Sequence, residues 1–137
     1  MTLKVAMTGN LSKSPGLVGA KAQEFEKAGM HVIFPKGLDT IDALMELPML
    51  QRAERKEKKW VIVNSDILYV VNPGGDISPA VLSDIIFAGK AGNLIFFLER
   101  PKEASLNPLS LVIFKNAEDI KEAALEEFFR RSLRQAS

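Results

Sequence analysis

Three short stretches of the chain hold residue types that can act on a small molecule. They are Thr8-Gly9-Asn10, then Pro73-Gly74-Gly75-Asp76 leading into Ser78-Pro79, and Asp84, six residues beyond Ser78. Gly74 and Gly75 let the backbone come close to a ligand. A helix starting after Ser78 would aim its free amides and positive dipole end at the same spot, which suits a phosphate or another oxyanion. The same residues also make an ordinary turn and an ordinary Ser-Pro helix start, so the stretch by itself leaves both readings open. Asp84 supplies the carboxylate. At about 3.6 residues per turn, six positions rotate by about 600°, so Ser78 and Asp84 lie some 120° apart on the helix and share a ligand only if it lies along that flank. In Leu82-Ser83-Asp84-Ile85-Ile86 the apolar pattern is equally compatible with a solvated carboxylate.

The composition excludes most other chemistries. With no Cys and a single His, His31, one chain has no disulfide, no thiolate nucleophile, no Cys- or His-based metal site and no Ser/His/Asp triad. Neither a metal nor a cofactor is expected, and catalysis would rest on carboxylates, hydroxyls, Lys or backbone dipoles. The 18 Lys+Arg and 17 Asp+Glu leave a formal charge of +1, too little for charge-driven binding of a nucleic-acid polymer or an anionic membrane. The run from Arg52 to Lys59 mixes both signs without interleaved aromatics and reads as a solvated helix face. Thr8-Gly9-Asn10 lacks the GxGxxG and GxxxxGK[ST] patterns, which argues against a classical NAD site and a P-loop. His31 is read as a structural or exposed residue; Asp39 and Asp42, after the second strand, could approach a ligand from the rim, but as turn and helix-start residues they need no function. The apolar start Met1 to Met7 is too short to span a membrane and lacks the marks of a secretory signal, so a cytosolic location is expected.

The elements that must position these residues follow from periodicity. Leu3 to Thr8 reads as a buried strand, Gly16 to Ala28 as a helix with Ser14-Pro15 before it and Gly29 after it, and His31 to Phe34 as a second strand. Pro48 interrupts an amphipathic region from Ile41 to about Val63. Trp60-Val61-Ile62-Val63 reads as a last helical turn, because Asn64-Ser65-Asp66 turns the chain directly into a better strand. That strand, Ile67 to Asn72, is nearly continuous in apolar residues, as a central parallel strand covered on both faces should be. A helix from Ser78-Pro79 to Gly89 or Lys90, strands at Leu94 to Leu98 and Leu109 to Phe114, and a closing helix from Ala117 to Arg134 complete the chain. The 137 residues predict one α/β domain: a doubly wound, flavodoxin- or Rossmann-like, mostly parallel sheet of about five strands with helices on both faces. In such sheets ligands bind beyond the C-terminal strand ends, where the loops from Thr8 to Ser14 and from Asn72 to Ser78 fall.

The segment Asp66 to Ser78, followed by Asp84-Ile85-Ile86-Phe87-Ala88-Gly89-Lys90, resembles the nucleoside 2-deoxyribosyltransferase-like superfamily, which includes the deoxynucleoside monophosphate N-glycosidases. Thr8-Gly9-Asn10 and Glu26 to Pro35 fit the family's opening, and the resemblance covers about residues 3 to 99. It implies cleavage or transfer at the N-glycosidic bond of a deoxynucleoside or its monophosphate, by a carboxylate that attacks or stabilises C1′ as the base leaves. By this resemblance Asp84 falls on the nucleophile position, where the family has Glu. Ser78 falls on the position that binds the 5′-phosphate in the monophosphate-cleaving branch. Thr8, Gly9, Asn10, Gly74 and Gly75 would hold sugar and phosphate.

Losing one methylene withdraws the carboxylate by about 1.5 Å, and a misplacement of about 1 Å can cost on the order of 100-fold in rate. A catalytically impaired nucleotide-binding or scaffold protein of the same fold is therefore the alternative. A further alternative, the lysine-decarboxylase-like phosphoribohydrolases, shares Pro73-Gly74-Gly75 but not the Gly-Thr pair and Glu of the PGGxGTxxE motif. The implied partners are a small-molecule nucleoside or nucleotide and a second copy of the chain in a homodimer or larger homo-oligomer. Leu125, Phe128, Phe129 and Leu133 are candidate contacts, although a helix packing on its own sheet explains them equally well.

Overall fold

The computed structural model describes residues 2–9, 15–33, 55–103, 105–106 and 116–136. Among these the chain runs β1 (Lys4–Gly9), α1 (Pro15–Lys27), β2 (His31–Val32), α2 (Arg55–Val63), β3 (Ile67–Val71), a 3-10 turn (Pro73–Gly75), α3 (Pro79–Lys90), β4 (Leu94–Phe97) and α4 (Ala117–Ala136). The strands form one parallel sheet in the order β2-β1-β3-β4. Asn10, Asp39, Asp42, Pro48 and the expected strand from Leu109 to Phe114 lie outside the described residues.

Side-chain alternation along β1 and β3 assigns the two faces of the sheet. Val5, Ile67, Tyr69 and Val71 point to one face, where they pack with Val18, Ala22 and Phe25 of α1 and with Ile120 and Ala124 of α4. Ala6, Leu68 and Val70 point to the other, against Val61 and Ile62 of α2 and Val81, Ile85 and Ala88 of α3. All five residues of β3 are buried, which is the physical meaning of its unbroken apolar run. This is the doubly wound α/β arrangement expected from the order of elements, with four strands among the described residues.

The expectation that Trp60 to Val63 is helical is met. Val61 and Ile62 are buried against the sheet while Trp60 and Val63 remain exposed, a one-sided burial that a helix end supplies. The side chains that follow close the helix: Asn64 Nδ2 donates to the Trp60 carbonyl at 2.8 Å and Ser65 Oγ to the Val61 carbonyl at 2.6 Å. Strand β2 is shorter than the expected His31 to Phe34. Among the described residues its ladder continues through the Ile33 amide, which donates to the Val5 carbonyl at 2.9 Å, and Phe34 lies outside the described residues.

Asp66, the residue before β3, sets the register between β3 and β1. Its carboxylate accepts the Lys4 amide at 2.9 Å and its own amide donates to the Lys4 carbonyl at 2.8 Å. Val5 then pairs with Ile67 and, at the far ends, Thr8 pairs with Val70 and Gly9 with Val71. A one-residue slip would send every side chain of the strand to the wrong face.

Candidate functional site

The strand order places β1 beside β3, with β2 outside one and β4 outside the other, so the chain reverses its direction of winding between β1 and β3. The crevice at the C-terminal ends of these two strands is the topological switch point, the usual ligand site of open parallel sheets. Thr8 and Gly9 end β1 there, and Asn72 and the glycine turn follow β3.

Thr8 has the same parity as Ala6 and therefore faces α3. On α3 the residues Val81, Ile85 and Ala88 lie on the sheet, and Asp84 projects from the flank next to Ile85, towards β1. Thr8 Oγ1 donates a hydrogen bond to Asp84 Oδ2 at 2.7 Å across a sequence separation of 76 residues. Thr8 is buried and Asp84 half-buried, so the contact sits at the lip of the sheet. Among the described residues, two of the sequence-predicted site residues, one ending β1 and one on α3, are thus joined directly. The opposite flank of α3 is apolar: Leu82, Ile85 and Ile86 line an open groove of about 690 Å³ with Leu94, Ile95 and Leu106, and no predicted site residue faces it.

Ser78 is the N-cap of α3. Its Oγ accepts the Val81 amide at 3.2 Å, and Pro79 occupies the first helical position. The residue is exposed, and a hydroxyl that accepts one bond still has its proton to donate. The Leu82 amide is taken by the Ser78 carbonyl at 2.9 Å, and Pro79 has none, so Ala80 supplies the first-turn amide best suited to a ligand.

The glycine turn is differently used. The Gly74 amide donates to Glu99 Oε2 at 2.6 Å, and the Gly75 amide to the Asn72 carbonyl at 2.8 Å. Gly75 has a φ of +81°, and a Cβ there would stand 2.5 Å from the Arg100 carbonyl oxygen, so its lack of a side chain serves packing against the chain after β4. Gly9 is similar: with a φ of +125°, a Cβ would lie 2.1 Å from the Val71 carbonyl oxygen. Both glycines permit a close approach, but of protein backbone. Asn10, the third residue of the first loop, lies outside the described residues.

Two residues at this rim were not singled out from the sequence. Asn72, almost fully buried, donates from Nδ2 to the Glu99 carbonyl at 2.8 Å and accepts the Glu99 amide on Oδ1 at 3.0 Å, continuing the β3–β4 ladder with a side chain in place of a strand residue. Glu99 returns its carboxylate to Gly74. A polar residue ending an otherwise apolar strand and an acid just past the next strand were the available signals, but their pairing depends on β3 and β4 being neighbours. His31 is exposed, with Nδ1 3.7 Å from Glu26 Oε1, away from the crevice at the opposite end of the strands.

No protein-family model matches the chain, and no curated protein matches it either. Among the described residues no helix is long and apolar enough to cross a membrane.

Proposed function

We propose that this chain binds a deoxynucleoside or its monophosphate in the crevice between β1 and β3, with Asp84 as the carboxylate that acts at C1′. The observation that carries this reading is the Thr8–Asp84 hydrogen bond. It unites the carboxylate with the first loop at a sheet position where small ligands bind, and gives it a fixed orientation. In the proposed step a carboxylate oxygen forms a bond to C1′ while the C1′–N bond breaks. The base leaves with the bonding pair and takes up a proton. Water, or an acceptor hydroxyl, then displaces the carboxylate from C1′. The Ser78 hydroxyl and the Ala80 amide, at the positive end of α3, are the groups that suit a 5′-phosphate. The Glu99 carboxylate on Gly74 makes the glycine turn a poorer anion seat, so phosphate recognition is assigned to the helix start.

The short side chain of Asp84, drawn towards a buried threonine, favours a second reading in which nucleotide is bound with little turnover. One experiment separates the two. The protein and its Asp84→Ala and Asp84→Glu variants are incubated with a panel of deoxynucleosides and their 5′-monophosphates, with free base measured by chromatography and ligand binding by thermal shift. Base release that disappears in Asp84→Ala supports the enzyme. Thermal stabilisation without base release, together with turnover in Asp84→Glu, supports the binding protein. Neither release nor stabilisation with any member of the panel, or equal release from Asp84→Ala, rejects the nucleotide reading.

A further inference from the structure

The two helical layers that cover the sheet differ in charge. In sequence, α2 and α3 together hold five basic residues, Arg55, Lys56, Lys58, Lys59 and Lys90, against the two acids Glu57 and Asp84, a balance of +3 in a chain whose whole charge is +1. On the other face of the sheet α1 and α4 hold six basic residues against seven acids, a balance of −1. Asp84 is turned to Thr8, so among the described side chains of α2 and α3 the outer face carries Lys59 and Lys90 and no carboxylate. The same face is apolar. Val61 and Ile62 take the sheet side of α2, which leaves Trp60 56% and Val63 59% exposed; Val81, Ile85 and Ala88 take the sheet side of α3, which leaves Ile86 52% exposed. Lys59 Nζ lies 5.6 Å from the centre of the Phe87 ring, and the two line a shallow groove of about 380 Å³ with Leu82, Ile86 and Lys90. Single apolar side chains in water are ordinary, but a group of them set among cations marks a surface that meets something.

We propose that the outer face of α2 and α3 docks on an anionic lipid surface. An indole at the boundary of water and hydrocarbon keeps its N–H hydrated while its rings leave water. A lysine laid along apolar surface keeps its ammonium at the level of the headgroups, where anionic lipids attract it. Charges more than a Debye length apart, about 8 Å at physiological salt, are largely screened, so the approaching layer sets the attraction and the acids behind the sheet count for little. That is how a chain with a whole charge of +1 presents a basic face. A protein partner fits less well, because the centres of protein interfaces are poor in Lys, whereas Lys59 and Lys90 share one groove with the apolar side chains. The crevice at the C-terminal strand ends lies to the side of this face and stays accessible, and the docking does not depend on nucleotide binding. With three well-exposed apolar side chains and two described lysines, attachment is expected to be reversible and half complete at about 0.1 to 1 mM lipid, comparable with a single acyl anchor.

Trp60 is the only tryptophan of the chain, so its emission reports on this face directly. Vesicles made of equal parts phosphatidylcholine and phosphatidylserine, added to the whole chain, are expected to move that emission to shorter wavelength, shield it from acrylamide and carry the protein down on sedimentation. Vesicles of phosphatidylcholine alone are expected to bind at least about tenfold more weakly. The double variants Lys59→Glu/Lys90→Glu and Val63→Ser/Ile86→Ser are each expected to lose at least about tenfold in co-sedimentation. Their circular dichroism is expected to be unchanged, since all four side chains are exposed. Phe129→Ser, on the outer side of α4, is expected to bind like the natural chain. No co-sedimentation up to about 1 mM lipid, equal binding to phosphatidylcholine alone, binding that leaves Trp60 emission unchanged, or full binding by Lys59→Glu/Lys90→Glu overturns the proposal. So does shielding of Trp60 by soluble polyglutamate and not by vesicles, which assigns the face to an acidic protein instead.

Discussion

Thr8 is buried at the end of a central strand, and a buried hydroxyl needs a partner for its proton. Asp84 provides one, and in return its carboxylate is held at the mouth of the crevice. Under the proposed reaction Thr8 is a positioning residue, acting through the group that meets C1′. Thr8→Val keeps the shape and removes the donor. Its cost in stability is expected to be about 1 kcal/mol, the net worth of one such hydrogen bond. Its cost in base release is expected to be larger, about 10- to 100-fold, because the carboxylate loses its fixed place. Thr8→Ser, which keeps the hydroxyl, is expected to retain most of the rate. Initial rates beside thermal melts check this, and a Thr8→Val variant with the natural rate would remove Thr8 from the mechanism. Both residues were legible as candidates, Thr8 in a polar turn after a strand and Asp84 by its place after the glycine turn. The bond between them was not, because it requires β1 and β3 to be adjacent and α3 to lie across them.

The element that brings Ser78 and Asp84 to this rim is the turn from β3 into α3, and it is fixed from outside itself. Asn72 bonds both backbone groups of Glu99, Glu99 returns its carboxylate to Gly74, and the Lys102 amide donates to the Gly75 carbonyl at 2.9 Å. The turn is therefore stapled to the segment that leaves β4. Asn72→Ala removes two of these bonds at a buried position and is expected to destabilise the fold by about 2 kcal/mol. Gly75→Ala adds a Cβ against the Arg100 carbonyl at a positive φ and is expected to cost at least as much, roughly 2 to 3 kcal/mol. Denaturant unfolding of the two variants measures both costs, and a Gly75→Ala protein as stable as the natural chain would show that the turn can shift away from Arg100. The glycines themselves were evident from the sequence as sites of close approach. What approaches them depends on chain far away in sequence, so the same Gly-Gly signal serves a ligand or a neighbouring segment equally well.

At the scale of the molecule, the core on the α1 and α4 face closes over the one tyrosine of the chain. Tyr69 is 1% exposed, and its ring meets Phe25 edge-on with centroids 5.0 Å apart. Burial, with a smaller contribution from the nearby Glu24 carboxylate, pushes its phenol above the ordinary range. An unfolded tyrosine ionises near pH 10, so above about that pH the folded state binds the more protons and loses stability as pH rises, by up to about 1.4 kcal/mol per pH unit from this group. Tyr69→Phe is expected to flatten the alkaline decline. Because Tyr69 is the only tyrosine, tyrosinate absorbance is expected to appear together with unfolding; its appearance in the folded protein at ordinary phenol pH would contradict this account.

Local pattern determined most of the elements. The short apolar run of β1, the continuous apolar run of β3, the Ser78-Pro79 start and the helical end at Val63 depend on residues within a few positions of one another, and the structure places these elements where the local pattern predicts. The parallel α/β class follows from their order. The tertiary structure alone decided which elements meet. It paired Thr8 with Asp84, turned Gly9 and Gly75 towards backbone, and put Glu99 on the glycine turn, each through contacts between residues 25 or more positions apart. Periodicity carries the direction in which a side chain points, but the group it meets is set by strand order and by the crossing of helices over the sheet.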